Sequence, residues 1–299
     1  MSPGDAGGAV AAWFFRPAPA ARLAVTRAVV AGWSLGYLGR RWRLLTEVAG
    51  GRRRDFCPVG VVRVLRRPLP VRVVQAGVVA TYVASAAVAV GWRHRLTGPL
   101  WGALLLWTLT YRNSWSMAFH NDNLLVLHAV VLGCAPGAAD VLAIGAPRVA
   151  VPAGPDWRYG WPLQLMSAVT ALTYLLAGIA KVRGPLGWRW AGGTALRSQV
   201  EADAVRKDLL SSGSSPVAAA LHDHEALWRT MAVGSLALEL GAPVALLSRR
   251  LGRAWSVAAW SLHVGILAMM RIRFRYQLSG AAYASFLDME RIAGRRWSP

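Results

Sequence analysis

Two stretches of this chain carry side chains that could move a proton. The first is SWSMAFHNDNLLVLH, Ser114 to His128, where His120, Asn121, Asp122 and Asn123 follow one another. The second is LTYLLAGIAKV, Leu172 to Val182, which places Lys181 just inside an apolar boundary. Only Lys181 and Lys207 are lysines among 34 basic residues, so a lysine at the end of an apolar run draws attention. Two chemistries are open to it. It can snorkel, its stem in the apolar layer and its ammonium at the edge. It can also be a buried amine that accepts a proton near neutral pH. The residues alone favour the anchor. The polar run at 120–123 is likewise either a helix start, with Asn and Asp capping backbone donors, or a pocket in which imidazole and amide groups hold a polar substrate edge. The residues alone lean to the cap.

Other ionisable groups fall inside apolar runs, where each is costly and therefore a functional candidate. His128 lies eight residues beyond His120 and reads as a satisfied polar group between helices. Glu239, in LALELGAP, reads as mid-span, with Arg27 as its mate in a structural ion pair. His263, in WSLHVGI, reads as a packed interhelical donor. His222, Asp223, His224 and Glu225 have metal-like composition, and HxH spacing can place two imidazoles on one ion. A third ligand is not evident, so a solvated loop is the better reading. Cys57 and Cys134 are far apart and read as isolated thiols. There is no HExxH, GxSxG or P-loop pattern to support metalloprotease, serine hydrolase or NTPase chemistry.

The elements that must position these groups are set by apolar runs. The 299 residues are 55% hydrophobic and 16% charged, against about 25% charged in a soluble domain. Together with the length of the runs this predicts an all-α polytopic transmembrane bundle of seven or eight spans. The spans are predicted at Leu23 to Gly39, Val71 to Gly91, Leu96 to Tyr111, Trp115 to Cys134, Trp161 to Val182, Leu227 to Leu247 and Ala254 to Met270, with Tyr276 to Leu287 as a tilted or interfacial eighth. Between the fifth and sixth spans, Thr194 caps a predicted interfacial helix running to about Leu210. Residues 1–21 form a flexible or interfacial lead-in, 22–290 the membrane domain and 291–299 a basic tail. Arg40 to Arg72 holds ten arginines. The net charge of +20 is spread between apolar runs, which fits topology signals and anionic lipid headgroups and not nucleic acid. The positive-inside bias modestly favours an outside N-terminus.

The order of these elements resembles the HTTM (horizontally transferred transmembrane) family, related to the membrane module of vitamin K-dependent gamma-carboxylase. The resemblance rests on Ser114-Trp115 with His120-Asn121, on LTYLLAGIAKV followed by Trp and Gly, and on a glutamate-bearing helix, a histidine-bearing helix and an apolar C-terminal segment in that order. It covers roughly residues 22 to 290. It implies carboxylase- or epoxidase-like chemistry, a lyase or oxidoreductase, on a lipophilic small molecule. Lys181 would be the base that deprotonates a reduced quinone, with His120 also catalytic. Dioxygen would be the oxidant and no metal would be required. Asn121, Trp115, Tyr174, His128, Glu239 and His263 would line the substrate. The family's enzyme has a large lumenal portion that this sequence lacks, so protein carboxylation is not implied. The alternatives are a non-catalytic membrane partner, an immunity or maturation factor, or a transporter. The expected surroundings are membrane lipid, in the plasma membrane.

Overall fold

A computed structural model describes residues 3–115, 122–145, 151–210 and 212–294, with side chains from residue 7 onward. The described residues are helical, and they contain no strand beyond one isolated bridge between Ala18 and Asp156. Twelve α-helices are described: α1 (Pro3–Phe14), α2 (Ala20–Arg40), α3 (Trp42–Glu47), α4 (Val71–Ala89), α5 (His94–Asn113), α6 (Asn123–Gly133), α7 (Trp157–Arg183), α8 (Thr194–Leu209), α9 (Pro216–Ala220), α10 (Glu225–Leu240), α11 (Arg249–Met270) and α12 (Arg275–Leu278). Contacts divide the chain into two units, residues 1–166 with 287–299, and residues 167–286.

In the first unit α2, α4, α5 and α6 pack side by side. The packing is tightest between α5 and α6, where small residues let the backbones meet. A Cβ on Gly133 would lie 2.4 Å from the Gly98 carbonyl oxygen, and one on Gly102 would lie 3.2 Å from the Val130 Cα. Such close backbone approach over small residues adds van der Waals contact between the helices. Polar side chains cross the same interfaces. Thr81 and Thr108 hydroxyls meet at 2.8 Å, and Trp101 Nε1 donates to Ser34 Oγ at 3.3 Å. The segment around Met289 also packs on α2, where Arg22 pairs with Glu290 and, at 3.2 Å, with Asp288.

The second unit contains most of α7, then α8 to α12. Its α8 docks on the C-terminal end of α11. Lys207 donates to Asp203 at 2.6 Å and to the Met270 carbonyl, and Ser215 donates to the Ala268 carbonyl at 2.6 Å.

Two of the described helices, α4 and α7, are long and apolar enough to cross a membrane. The apolar windows of these helices are only 28% and 39% buried. A core helix of a soluble protein would be mostly buried, whereas lipid leaves an apolar outer face uncovered. Val79 and Val83 on α4 and Leu172 and Leu176 on α7 are such outward residues.

Several boundaries differ from the sequence reading. Of the predicted fourth span, α6 supplies 11 residues, and residues 116–121 lie outside the described residues. The sixth stops at Leu240, where Gly241 and Pro243 convert the chain to a 3-10 turn over Ala242–Leu246. The eighth breaks into α12 and a 3-10 stretch, Ala281–Phe286, at Gly280, whose φ is +79°. Within the predicted lead-in, Pro3–Phe14 form the helix α1. The helix between the fifth and sixth predicted spans is present as α8, but Thr194 does not cap it. Gly193 occupies that position with φ +90°. A Cβ there would lie 2.5 Å from the Arg229 nitrogen, so only glycine fits.

Candidate functional site

The second unit brings together four of the side chains singled out by sequence. On α7, Tyr174, Gly178 and Lys181 fall at spacings of four and three, which stacks them on one helical face. Gly178 lets α10 come close, since a Cβ there would lie 3.0 Å from Glu239 Cβ. That approach delivers the Glu239 carboxylate to Lys181. The ammonium stands 2.6 Å from both oxygens. The Lys181 side chain keeps 26% of its surface exposed, Glu239 only 9%. The Trp190 ring covers the ammonium from 5.3 Å, a cation–π contact. Lys181 is therefore neither a free snorkelling charge nor an unpaired buried amine.

Glu239 also departs from its expected setting. It is the penultimate residue of α10 and not mid-span, and a carboxylate near a helix C-terminus opposes the dipole. Lys181 offsets that. The expected partner, Arg27, belongs to the other unit and donates Nη2 to the Leu142 carbonyl at 2.8 Å.

About two helical turns from Lys181 along α7, roughly 10 Å by helix rise, Tyr174 joins a second polar group. Its hydroxyl is 2.7 Å from His263 Nε2 and 2.6 Å from the Tyr283 hydroxyl. Trp255 and Phe274 enclose this trio, Trp255 edge-on to Tyr174 at 5.0 Å and Phe274 4.8 Å from the His263 ring. His263 Nδ1 has no hydrogen-bond partner among the described residues. His263 is thus a packed interhelical group, as its sequence setting indicates, but it is linked to a chain of hydroxyls. Tyr283 carries no sequence signal of its own, because an apolar run hides a tyrosine well.

In the first unit, Asp122 stands at the N-cap of α6 yet makes no capping bond. Its carboxylate accepts from Arg112 at 3.0 Å and from the Tyr37 hydroxyl at 2.5 Å. All three side chains are buried. Sequence reasoning misses Arg112, because it borders a span and reads as a topology charge. His128 is fully buried and bonded to the Met166 backbone, which matches its reading as a satisfied group between helices. Trp115 packs on Phe56 and Tyr111 over the Val62 and Val74 core, with ring centroids 5.1 and 6.2 Å away. That is a core-filling position. His120 and Asn121 lie outside the described residues.

No group of three or more potential metal ligands occurs among the described residues. His222 instead pairs with Glu201 at 2.9 Å and Asp223 at 2.8 Å. Comparison with protein-family models, with curated proteins and with solved structures finds no match to this chain.

Proposed function

We propose that the chain is a polytopic integral membrane protein of the plasma membrane, HTTM-like, whose second unit takes a proton from a lipophilic small molecule. A reduced quinone is the substrate class and dioxygen, drawn from solution, the oxidant. The observation that carries the reading is the Lys181–Glu239 contact, 2.6 Å at both oxygens, on a lysine that stays partly open. The ammonium and the carboxylate lie within direct proton-transfer distance of each other. When the carboxylate holds the proton, the neutral amine accepts the next one from a quinol hydroxyl. The quinolate left behind then passes two electrons to dioxygen and becomes the quinone, while its remaining hydroxyl proton and the proton taken up by Lys181 complete hydrogen peroxide. The hydrogen-bonded Tyr174, His263 and Tyr283 hold polar atoms of the substrate in an otherwise apolar wall.

Lys181→Ala should lower quinol-dependent oxygen uptake by about 100-fold or more in purified protein, the usual scale of a general base. Unchanged uptake would end the catalytic reading. A second reading, a non-catalytic membrane partner or maturation factor, is favoured by how fully Glu239 and Trp190 occupy the ammonium. Lys181→Arg separates the two. Arginine keeps the ion pair but does not give up its proton near neutral pH, so activity survives only if Lys181 is structural.

A further inference from the structure

The turn between α4 and α5 borders a cavity of about 410 Å³, lined among others by Gly91, Arg93, His94, Arg95, Pro136 and Gly145. This is within the ~300–1,000 Å³ range of small-molecule sites. Several positive features converge there. Arg93 and Arg95 are exposed at its mouth. The first turn of the 20-residue α5 opens onto it through His94 and Arg95, and that helix start has no side-chain cap. Free N–H groups at such a helix start favour an anion.

Behind this wall is a buried cation. Arg27 has no exposed surface, and its guanidinium is pressed on Gly91, where a Cβ would lie 1.9 Å from Nη1. Nη2 is bonded to Leu142, but Nε and Nη1 have no partner among the described residues. A buried guanidinium with no counter-charge is costly. The carboxylate in electrostatic reach of His94 is Asp140, which already accepts the Tyr159 hydroxyl at 3.1 Å. His94 is itself 3% exposed. Its Nε2 is 3.1 Å from the Leu132 carbonyl, so it is the donor, and Nδ1 has no hydrogen bond among the described residues.

We infer that this cavity binds a phosphate-bearing anion, for which glycerophosphate compounds are the probes. Such a group comes either from an anionic lipid headgroup or from a soluble phosphate ester. The site is in the first unit and does not depend on quinol chemistry at Lys181.

The test is binding of short-chain phosphatidylglycerol and of glycerol 3-phosphate to the purified full chain in a neutral detergent. Both should bind, and Arg93→Gln/Arg95→Gln should weaken them at least tenfold. Arg53→Gln/Arg54→Gln removes the same charge from another exposed stretch and should leave binding unchanged. Binding of the lipid alone assigns the headgroup as the source. Binding of glycerol 3-phosphate with equal strength assigns a soluble ester. Absence of binding by both probes overturns the proposal. So does retention of binding in Arg93→Gln/Arg95→Gln, or equal loss in both double variants, which would mark diffuse surface attraction. Oxygen uptake should be unaffected by either double variant, which keeps failure here distinct from failure of the proposed function.

Discussion

The Lys181–Glu239 contact carries a stability consequence as well as a chemical one. Removing one member of a buried pair leaves an uncompensated charge, at a cost of about 3–5 kcal/mol when burial is complete. Lys181 is partly open, so water recovers part of that. Glu239→Ala should cost about 1–3 kcal/mol, whereas Lys181→Met with Glu239→Leu should recover most of the loss. Thermal unfolding of the single and double variants beside the parent protein measures it, and equal loss in single and double variants would contradict pairing. Lys181 and His263 are legible in the sequence because ionisable groups in apolar runs stand out, whereas Tyr174 enters only through the family resemblance. Their partners are less so. The sequence pairs Glu239 with Arg27 because a one-dimensional pattern does not tell which helices meet. The feature that decides it, the close approach at Gly178, is set by a missing side chain.

Helix association in the first unit depends on small residues more than on large ones. Gly133→Leu must separate α5 from α6, because even a single Cβ would lie 2.4 Å from a backbone oxygen. The expected outcome is loss of folded protein in detergent, whereas Gly32→Leu should be tolerated, since an added Cβ there would meet no atom within 4 Å. Outside the apolar helices, α8 carries the readable pH dependence. A hydrogen bond from Arg197 holds the Glu201 carboxyl below its usual range, and His222 does the same for Asp223. Carboxyls lowered in this way contribute above their unfolded value, about 4, and lose that contribution as pH falls through the folded value. Proteolysis after Leu209 should therefore be flat from neutral pH to about 4 and rise below it. Arg197→Ala should move the rise to higher pH, and an unmoved rise would refute the assignment. Hydropathy locates α2, α4, α5, α7 and α11 within a few residues. It overruns α10 and α12 because averaged hydropathy ignores the breaks at Gly241, Pro243 and Gly280.

At the scale of the molecule, the first unit fixes which groups share an end of its helices. Cys57 donates its backbone nitrogen to Ser114 at the C-terminal end of α5. Cys134 follows α6, beside the N-terminal part of α5 marked by Gly98 and Gly133. Both thiols are free and exposed. With an outside N-terminus, a membrane-impermeant maleimide should label Cys134 in intact cells and Cys57 only after permeabilisation. The reverse order would invert the orientation, and equal labelling of both would count against a membrane-crossing first unit. Composition points to apolar helices long enough to cross a membrane, of which α4 and α7 are two, but the division at residue 166, with residues 287–299 returning to the first unit, leaves no trace in the sequence.

That return has a consequence for biosynthesis. Arg22, in the first turn of α2, is matched by Asp288 and Glu290, the latter 268 positions further along the chain. While the chain is being translated, the N-terminal unit therefore carries a buried cation whose counter-charges have not yet been made. The part synthesised first is completed last, and its final closure must wait until the ribosome has delivered residue 290.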